Sequence, residues 1–141
     1  MNTVTVAGNL ADDPDLRYTP NGAPVCTVRV AVNRRVKTGD GWDDRLDGFF
    51  TVQLWRDHAA NAAESLRKGD RVIVTGRLTC RSYEAPDGTT RWVTEIQAEE
   101  ICPSLRWAQA KPRRITRHHS QPVPAGAGPP AGGPADDDVP F

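Results

Sequence analysis

Few cysteines, few histidines and no net charge narrow what this chain of 141 residues can do. The three cysteines, Cys26, Cys80 and Cys102, are odd in number and lack CxxC spacing. That argues against both a disulfide scaffold and a zinc site. Free cysteine behaves as a small apolar side chain, so three buried thiols are expected. The alternative is a bridge between symmetry-related subunits, which geometry would decide. Of the three histidines, His58 sits at a helix start and His118 and His119 lie in the C-terminal tail. No serine or cysteine carries a recognisable nucleophile motif. Glu99 and Glu100 are neighbours on a strand, so they point to opposite faces and make no acid/base pair. No metal, no cofactor and no enzymatic activity are expected.

Long apolar runs are also missing. Nothing approaches the ~18 residues of a membrane span, and no basic segment followed by an apolar stretch opens the chain. A cytoplasmic location without membrane contact is expected. Charge of one sign is missing too: 18 basic residues stand against 18 acidic ones. Many nucleic-acid binders are strongly basic, so any attraction for phosphate must come from local arrangement.

Composition shifts sharply near Ala108. Residues 1–107 hold every Phe, Tyr and Trp except Phe141. Residues 108–141 hold seven prolines, four glycines, a basic cluster (Lys111, Arg113, Arg114, Arg117) and a terminal acidic cluster. Such a segment buries too little apolar surface to offset the entropy of ordering it, and reads as a disordered tail. The expected division is therefore a folded domain over 1–107 and a tail over 108–141.

Within the first 107 residues the apolar period is mostly two, the period of half-buried strands. Val4, Val6, Gly8 and Leu10 mark a first strand. A second runs from about Val25 to Arg35, and Thr38-Gly39-Asp40-Gly41 marks a long hairpin connection. A third covers about Gly48 to Trp55. Asp57 is a good N-cap, Ala59, Ala62, Ala63 and Leu66 follow at helical spacing, and Gly69 stops the helix. Strands from about Arg71 to Tyr83 and Thr90 to Ile101 follow, joined at Pro86-Asp87-Gly88. Three strands, one helix and two strands predict an all-β fold: a five-stranded OB-fold Greek-key barrel with one helix between strands three and four.

The chemistry lies in which face carries the aromatics. In the third strand Phe50, Val52 and Leu54 alternate with Phe49, Thr51, Gln53 and Trp55. In the fourth, Val72, Val74, Leu78 and Cys80 alternate with Ile73, Thr75, Arg77, Thr79, Arg81 and Tyr83. In the second, Thr27, Arg29, Ala31, Asn33 and Arg35 face away from the valines. One outer face is thus expected to carry Phe49, Trp55 and Tyr83 among Arg29, Arg35, Arg77 and Arg81. Unpaired bases stack on such rings and phosphates pair with such cations. Stacking reads no hydrogen-bond code, so sequence preference should be weak. Trp42, in the hairpin loop, is placed to reach the same ligand, whereas Trp92 and Trp107 read as packing residues. The competing reading puts these aromatics at a subunit interface or under a loop.

The chain also resembles a known family. Val6-Ala7-Gly8-Asn9-Leu10, Asp13-Pro14 and Arg17-Tyr18-Thr19-Pro20-Asn21-Gly22 are similar to the N-terminal signature of bacterial single-stranded-DNA-binding proteins. Ser65-Leu66-Arg67-Lys68-Gly69, Val74-Thr75-Gly76-Arg77-Leu78 and the closing Asp136-Asp137-Asp138-Val139-Pro140-Phe141 resemble later motifs. The resemblance implies an OB-fold that assembles as a homotetramer, a dimer of dimers, and wraps single-stranded DNA. It carries stacking roles onto Phe49, Trp55 and Tyr83. It implies a nucleoid-associated protein that protects DNA and recruits replication, recombination and repair proteins through Asp136, Asp137, Asp138, Val139, Pro140 and Phe141. The family often has an aromatic near the end of the second strand, where this chain has Val36; one platform is missing, or Trp42 takes its place. Ile101-Cys102-Pro103-Ser104-Leu105-Arg106-Trp107 resembles the actinobacterial branch, which implies an extra C-terminal strand clamping neighbouring subunits. An RNA-binding OB module, disfavoured by the acidic tip, and an oligomeric scaffold are the other readings.

Overall fold

The computed structural model describes residues 1–116. Its elements are β1 (Val4–Leu10), β2 (Asp15–Tyr18), β3 (Pro24–Thr38), β4 (Gly41–Trp55), α1 (Arg56–Ser65), β5 (Arg71–Glu84) and β6 (Thr90–Pro103). Strands β1, β5, β6, β4 and β3 form a ring that closes where Asn9 and Leu10 of β1 pair with Ala31 and Val30 of β3. Every contact in the ring is antiparallel except β4 against β6. The expected all-β OB-type barrel forms, with its helix between the third and fourth barrel strands. The short β2 adds a sixth strand on the free edge of β3. Only Leu16 of β2 turns toward the core, too little alternation to be read from sequence.

Closure depends on Gly8. There β1 passes from β5 to β3, and a Cβ would collide with the Ala31 carbonyl and the Val30 side chain. The core fills the ring with branched side chains: Val28, Val30, Val52, Leu54, Val72, Val74 and Ile96 are fully buried. Helix α1 lays Ala59 and Ala62 on this core, and Leu66 follows them.

Several local expectations are corrected. Asp57 is not the N-cap. Trp55 occupies that position in an extended conformation, makes no side-chain capping bond, and leaves Asp57 in the first turn. Arg56 turns the chain there with φ of 57°, a left-handed conformation costly for a side chain of its size. Gly69 does not end the helix either: Leu66 is the C-cap, and Gly69 donates its N–H to Leu10 O in the loop beyond. Among the thiols only Cys26 is buried, where loss of solvent raises its pKa above the ordinary value. Cys80 is exposed because β5 has left the barrel by that point, and Cys102 because it falls on the outer face. Trp92 and Trp107 are exposed rather than packed; Trp107 lies beneath the guanidinium groups of Arg71 and Arg106 at 5.1 and 5.0 Å. Residues 104–116 form no strand in this single chain, so the extra strand is not among the described residues.

The long hairpin loop is corrected as well. β3 runs on to Thr38 and β4 starts at Gly41, so a two-residue turn joins them and a two-stranded ribbon projects from the barrel. One compact unit spans Met1–Ala110.

Candidate nucleic-acid interface

Strand order decides what the outer face contains. β6 lies between β4 and β5, so the strands expected to be neighbours are separated by it. Two rows of outward residues cross all four strands. One runs Arg29, Thr51, Glu95, Thr79; the next runs Thr27, Gln53, Gln97, Arg77. Period-two alternation aimed Arg29 and Arg77 at this face, but their β6 neighbours Glu95 and Gln97 were missed. Their parity was visible in the sequence; their place at the centre was not, because the parallel β4–β6 contact joins residues some 44 positions apart (Thr51 with Glu95).

Phe49, Trp55, Tyr83 and Trp42 are 52%, 49%, 42% and 59% exposed, large rings left in water on the outward side of their strands. Phe49 pairs across with Ala31, and the Arg29 guanidinium lies over its ring at 4.6 Å. Trp55 ends β4 and donates its indole N–H to Gln97 Oε1 at 3.0 Å. Tyr83 lies further along β5, opposite Arg91, in the ribbon formed by β5 and β6.

Trp42 reaches this face through a bulge. The β3–β4 register slips between Val32 and Asn33, leaving Asp47 without an opposite number. Trp42 and Phe49 are seven positions apart, an odd spacing that would put them on opposite faces of a regular strand. The extra residue restores the match. Trp42 pairs with Lys37 and stands 5.8 Å from the Arg35 guanidinium. Val36 pairs with Asp43 and faces the other way.

The arginines differ in how they are held. Arg29 pairs with Asp12 at 3.4 Å and Arg35 with Asp44 at 3.8 Å. Arg81 makes a two-pronged contact with Glu95, Nη2 to Oε1 at 3.0 Å and Nε to Oε2 at 3.4 Å. Glu95 is 7% exposed, the one charged residue buried among those described, and its hydrogen bond and charge raise the Arg81 pKa further above the ordinary arginine value. Arg77 makes no ion pair among the described residues. It lines an open groove of about 610 Å³ with Trp55, Thr79, Gln97, Ala98 and Glu99. The β5–β6 register slips between Thr75 and Gly76, which pairs Glu100 with outward Thr75 and leaves Glu99 without an opposite number, so Glu99 and Glu100 are not a simple alternating pair as expected. The six residues expected to bind partners, Asp136 to Phe141, lie outside the described residues.

The arrangement offers ring faces, cations and amide hydrogen-bonding groups along a strip four strands wide. It offers no nucleophile beside a base. The described residues also contain no helix long and apolar enough to cross a membrane.

Comparison with known proteins agrees with this geometry. A single-stranded DNA-binding protein of Mycobacterium bovis is 42% identical over 160 aligned positions covering 99% of this chain and 97% of the relative. One from Paenarthrobacter aurescens is 45% identical, covering 89% of this chain and 75% of the relative. The crystal structure of a small single-stranded DNA-binding protein from Streptomyces coelicolor superposes with a TM-score of 0.64 at 36% identity, covering 74% of this chain and 94% of that one. The profile of the Single-strand binding protein family matches residues 1–103, the whole barrel. With a barrel, an aromatic outer face and a family match of that extent, the chain belongs to the Single-strand binding protein family, a family of binding proteins rather than enzymes.

Proposed function

We propose that the chain binds single-stranded DNA with little sequence specificity, by stacking bases on Phe49, Trp55, Tyr83 and Trp42 and pairing phosphates with Arg29, Arg35, Arg77 and Arg81. One observation supports the reading: four half-exposed aromatic rings have the same outward strand parity as these arginines. Water-exposed rings of that size cost solubility unless a ligand covers them. Stacking on them contributes about 1–3 kcal/mol per base. The names of the mycobacterial, Paenarthrobacter and Streptomyces relatives support DNA as the ligand.

In this reading the domain over 1–107 binds DNA and assembles, and the tail over 108–141 reaches for partners. One barrel offers few platforms, so a long strand needs several subunits. β1 is paired along one side by β5 but along the other only at Asn9 and Leu10, which leaves most of one edge open for a twin. Two-fold pairing there leads to a dimer of dimers. At the tip, Phe141 offers a ring for an apolar pocket, and Asp136, Asp137 and Asp138 suit a basic rim. Val139 and Pro140 join them, and Pro140 lowers the ordering cost. The tip recruits replication, recombination and repair proteins, and the protein works in the cytoplasm on the nucleoid.

Titration with fluorescent oligo-dT, with oligo-rU as competitor, tests the ligand. Tight oligo-dT binding poorly displaced by oligo-rU supports DNA, and no binding of either rejects the reading. Light scattering tests assembly: a tetramer is expected, and a monomer at micromolar concentration contradicts it. Deleting the last six residues should leave DNA affinity intact or slightly higher and abolish capture of repair and replication factors. Unchanged capture would remove the tail from the account.

A further inference from the structure

The groove beside Trp55 contains a contact that the general stacking account does not need. The indole N–H of Trp55, near the end of β4, is bonded to the side-chain oxygen of Gln97 on β6. Gln97 is itself half-buried, and its amide nitrogen lies 3.5 Å from the Thr79 hydroxyl of β5. The Thr79 hydroxyl in turn lies 3.5 Å from the Glu95 carbonyl. A polar chain thus runs from the ring through β6 to β5. Trp55 is half-exposed at the last residue of its strand, and the bond to Gln97 is its one side-chain hydrogen bond among the described residues. Arg77 stands on the same groove, opposite Gln97 in the β5–β6 register and in no ion pair among the described residues.

We propose that Gln97 is a positioning residue that locks the Trp55 indole in a stacking-ready orientation beside Arg77, so that the groove takes one nucleotide of the bound strand, base on Trp55 and phosphate on Arg77. This rests on the reading of Trp55 as a stacking platform. A ring already held in its bound orientation loses less freedom on binding than a free one. In this proposal Gln97 acts through the indole rather than by touching DNA, a distinction the variants below test.

The test is a two-by-two set of full-length variants: parent, Gln97→Leu, Trp55→Phe and the double variant. Phenylalanine keeps a ring and removes the N–H, so Gln97 has nothing to hold. Oligo-dT affinity is measured for each, and the indole N–H signals are followed by nuclear magnetic resonance, with Trp55→Phe assigning the Trp55 signal. Gln97→Leu is expected to weaken binding about three- to tenfold in the parent, the range one net hydrogen bond accounts for, and to speed solvent exchange of the Trp55 N–H. Gln97→Glu, which keeps an acceptor, should leave that N–H protected. In the Trp55→Phe background Gln97→Leu should change affinity by less than about twofold. An equal loss in both backgrounds means that Gln97 acts on DNA directly or only supports the sheet, and overturns the proposal. So does an unprotected indole in the parent, or a Gln97→Leu variant that binds as the parent does. Failure of the parent to bind oligo-dT would instead refute the functional reading beneath it.

Discussion

Two rows of residues one position apart in the same four strands have opposite fates. Inside the barrel, Val28, Val52, Ile96 and Leu78 lie side by side, the first three out of water altogether and Leu78 packed against the core. Outside, Arg29, Thr51, Glu95 and Thr79 lie side by side, flanked by half-exposed rings. The inner row contains only carbon side chains, and its energy is burial and close packing. The outer row leaves large apolar rings in water while burying a carboxylate. A chain selected for stability alone would reverse that choice. The difference separates what holds the fold from what meets a ligand, and the two should respond to substitution independently.

The largest expected effect is on the inner side. Leu54→Ala should cost about 2–5 kcal/mol of stability, seen as a lowered thermal or denaturant midpoint, while the remaining folded protein binds DNA as before. Gly8→Ala belongs with it, since the added carbon has no room at the seam of the barrel. On the outer side, Trp55→Ala should weaken oligo-dT binding by about 1–3 kcal/mol with little change in the unfolding midpoint; Phe49→Ala and Tyr83→Ala should have equal or smaller effects. A loss of stability as large as that of Leu54→Ala would erase the distinction between the faces.

Salt sharpens the comparison further. The tail holds four of the 18 basic and three of the 18 acidic residues, leaving residues 1–107 with 14 against 15. On the proposed reading, binding then rests on local arginines. The logarithm of affinity should fall with the logarithm of salt by about 0.7 per phosphate neutralised. Arg77→Glu should lower that slope most cleanly, because it breaks no ion pair among the described residues. Arg35 and Arg81 reversals should lower it too, and reversals at Arg67 or Lys68, in the turn after α1, should do so least. Equal slopes for all would indicate another binding path.

The smallest effect belongs to the turn between β5 and β6. The Thr89 hydroxyl and amide both donate to Asp87, at 2.6 and 3.0 Å, and hold its carboxyl below the ordinary value. The folded pKa is depressed, so the contribution is complete above the ordinary carboxylate range, about pH 4, and fades as pH falls toward the lower folded value. Asp87→Ala should loosen the ribbon carrying Tyr83, measurable as faster amide exchange near neutral pH, with the difference from the parent shrinking in acid.

Which parts of this were legible follows from their physical origin. Inner and outer parity along β3, β4 and β5 was legible, because burial writes a period of two directly into residue type. The helix position and the Pro86-Asp87-Gly88 hairpin were legible from local signals. The two register slips were not: nothing about Asp47 or Glu99 marks it as an extra residue, yet one slip turns Trp42 onto the aromatic face and the other turns Glu100 to the outer side opposite Thr75. Nor was the insertion of β6 between β4 and β5, which brings Gln97 to Trp55. That contact depends on a parallel pairing between distant segments, and local sequence carries no record of it. The solvent exposure of Cys80, Cys102, Trp92 and Trp107 was missed because residue type predicts burial only where the barrel supplies a core.

The central claim is that the outer aromatic face is where the strand binds. It is tested most directly by titrating oligo-dT into the parent and into a variant combining Phe49→Ala, Trp55→Ala and Tyr83→Ala, with unfolding midpoints measured alongside. The account predicts quenching of tryptophan emission and tight, salt-sensitive binding for the parent. It predicts near-complete loss of binding for a variant whose midpoint stays close to the parent's. A folded triple variant that binds oligo-dT as tightly as the parent would contradict it.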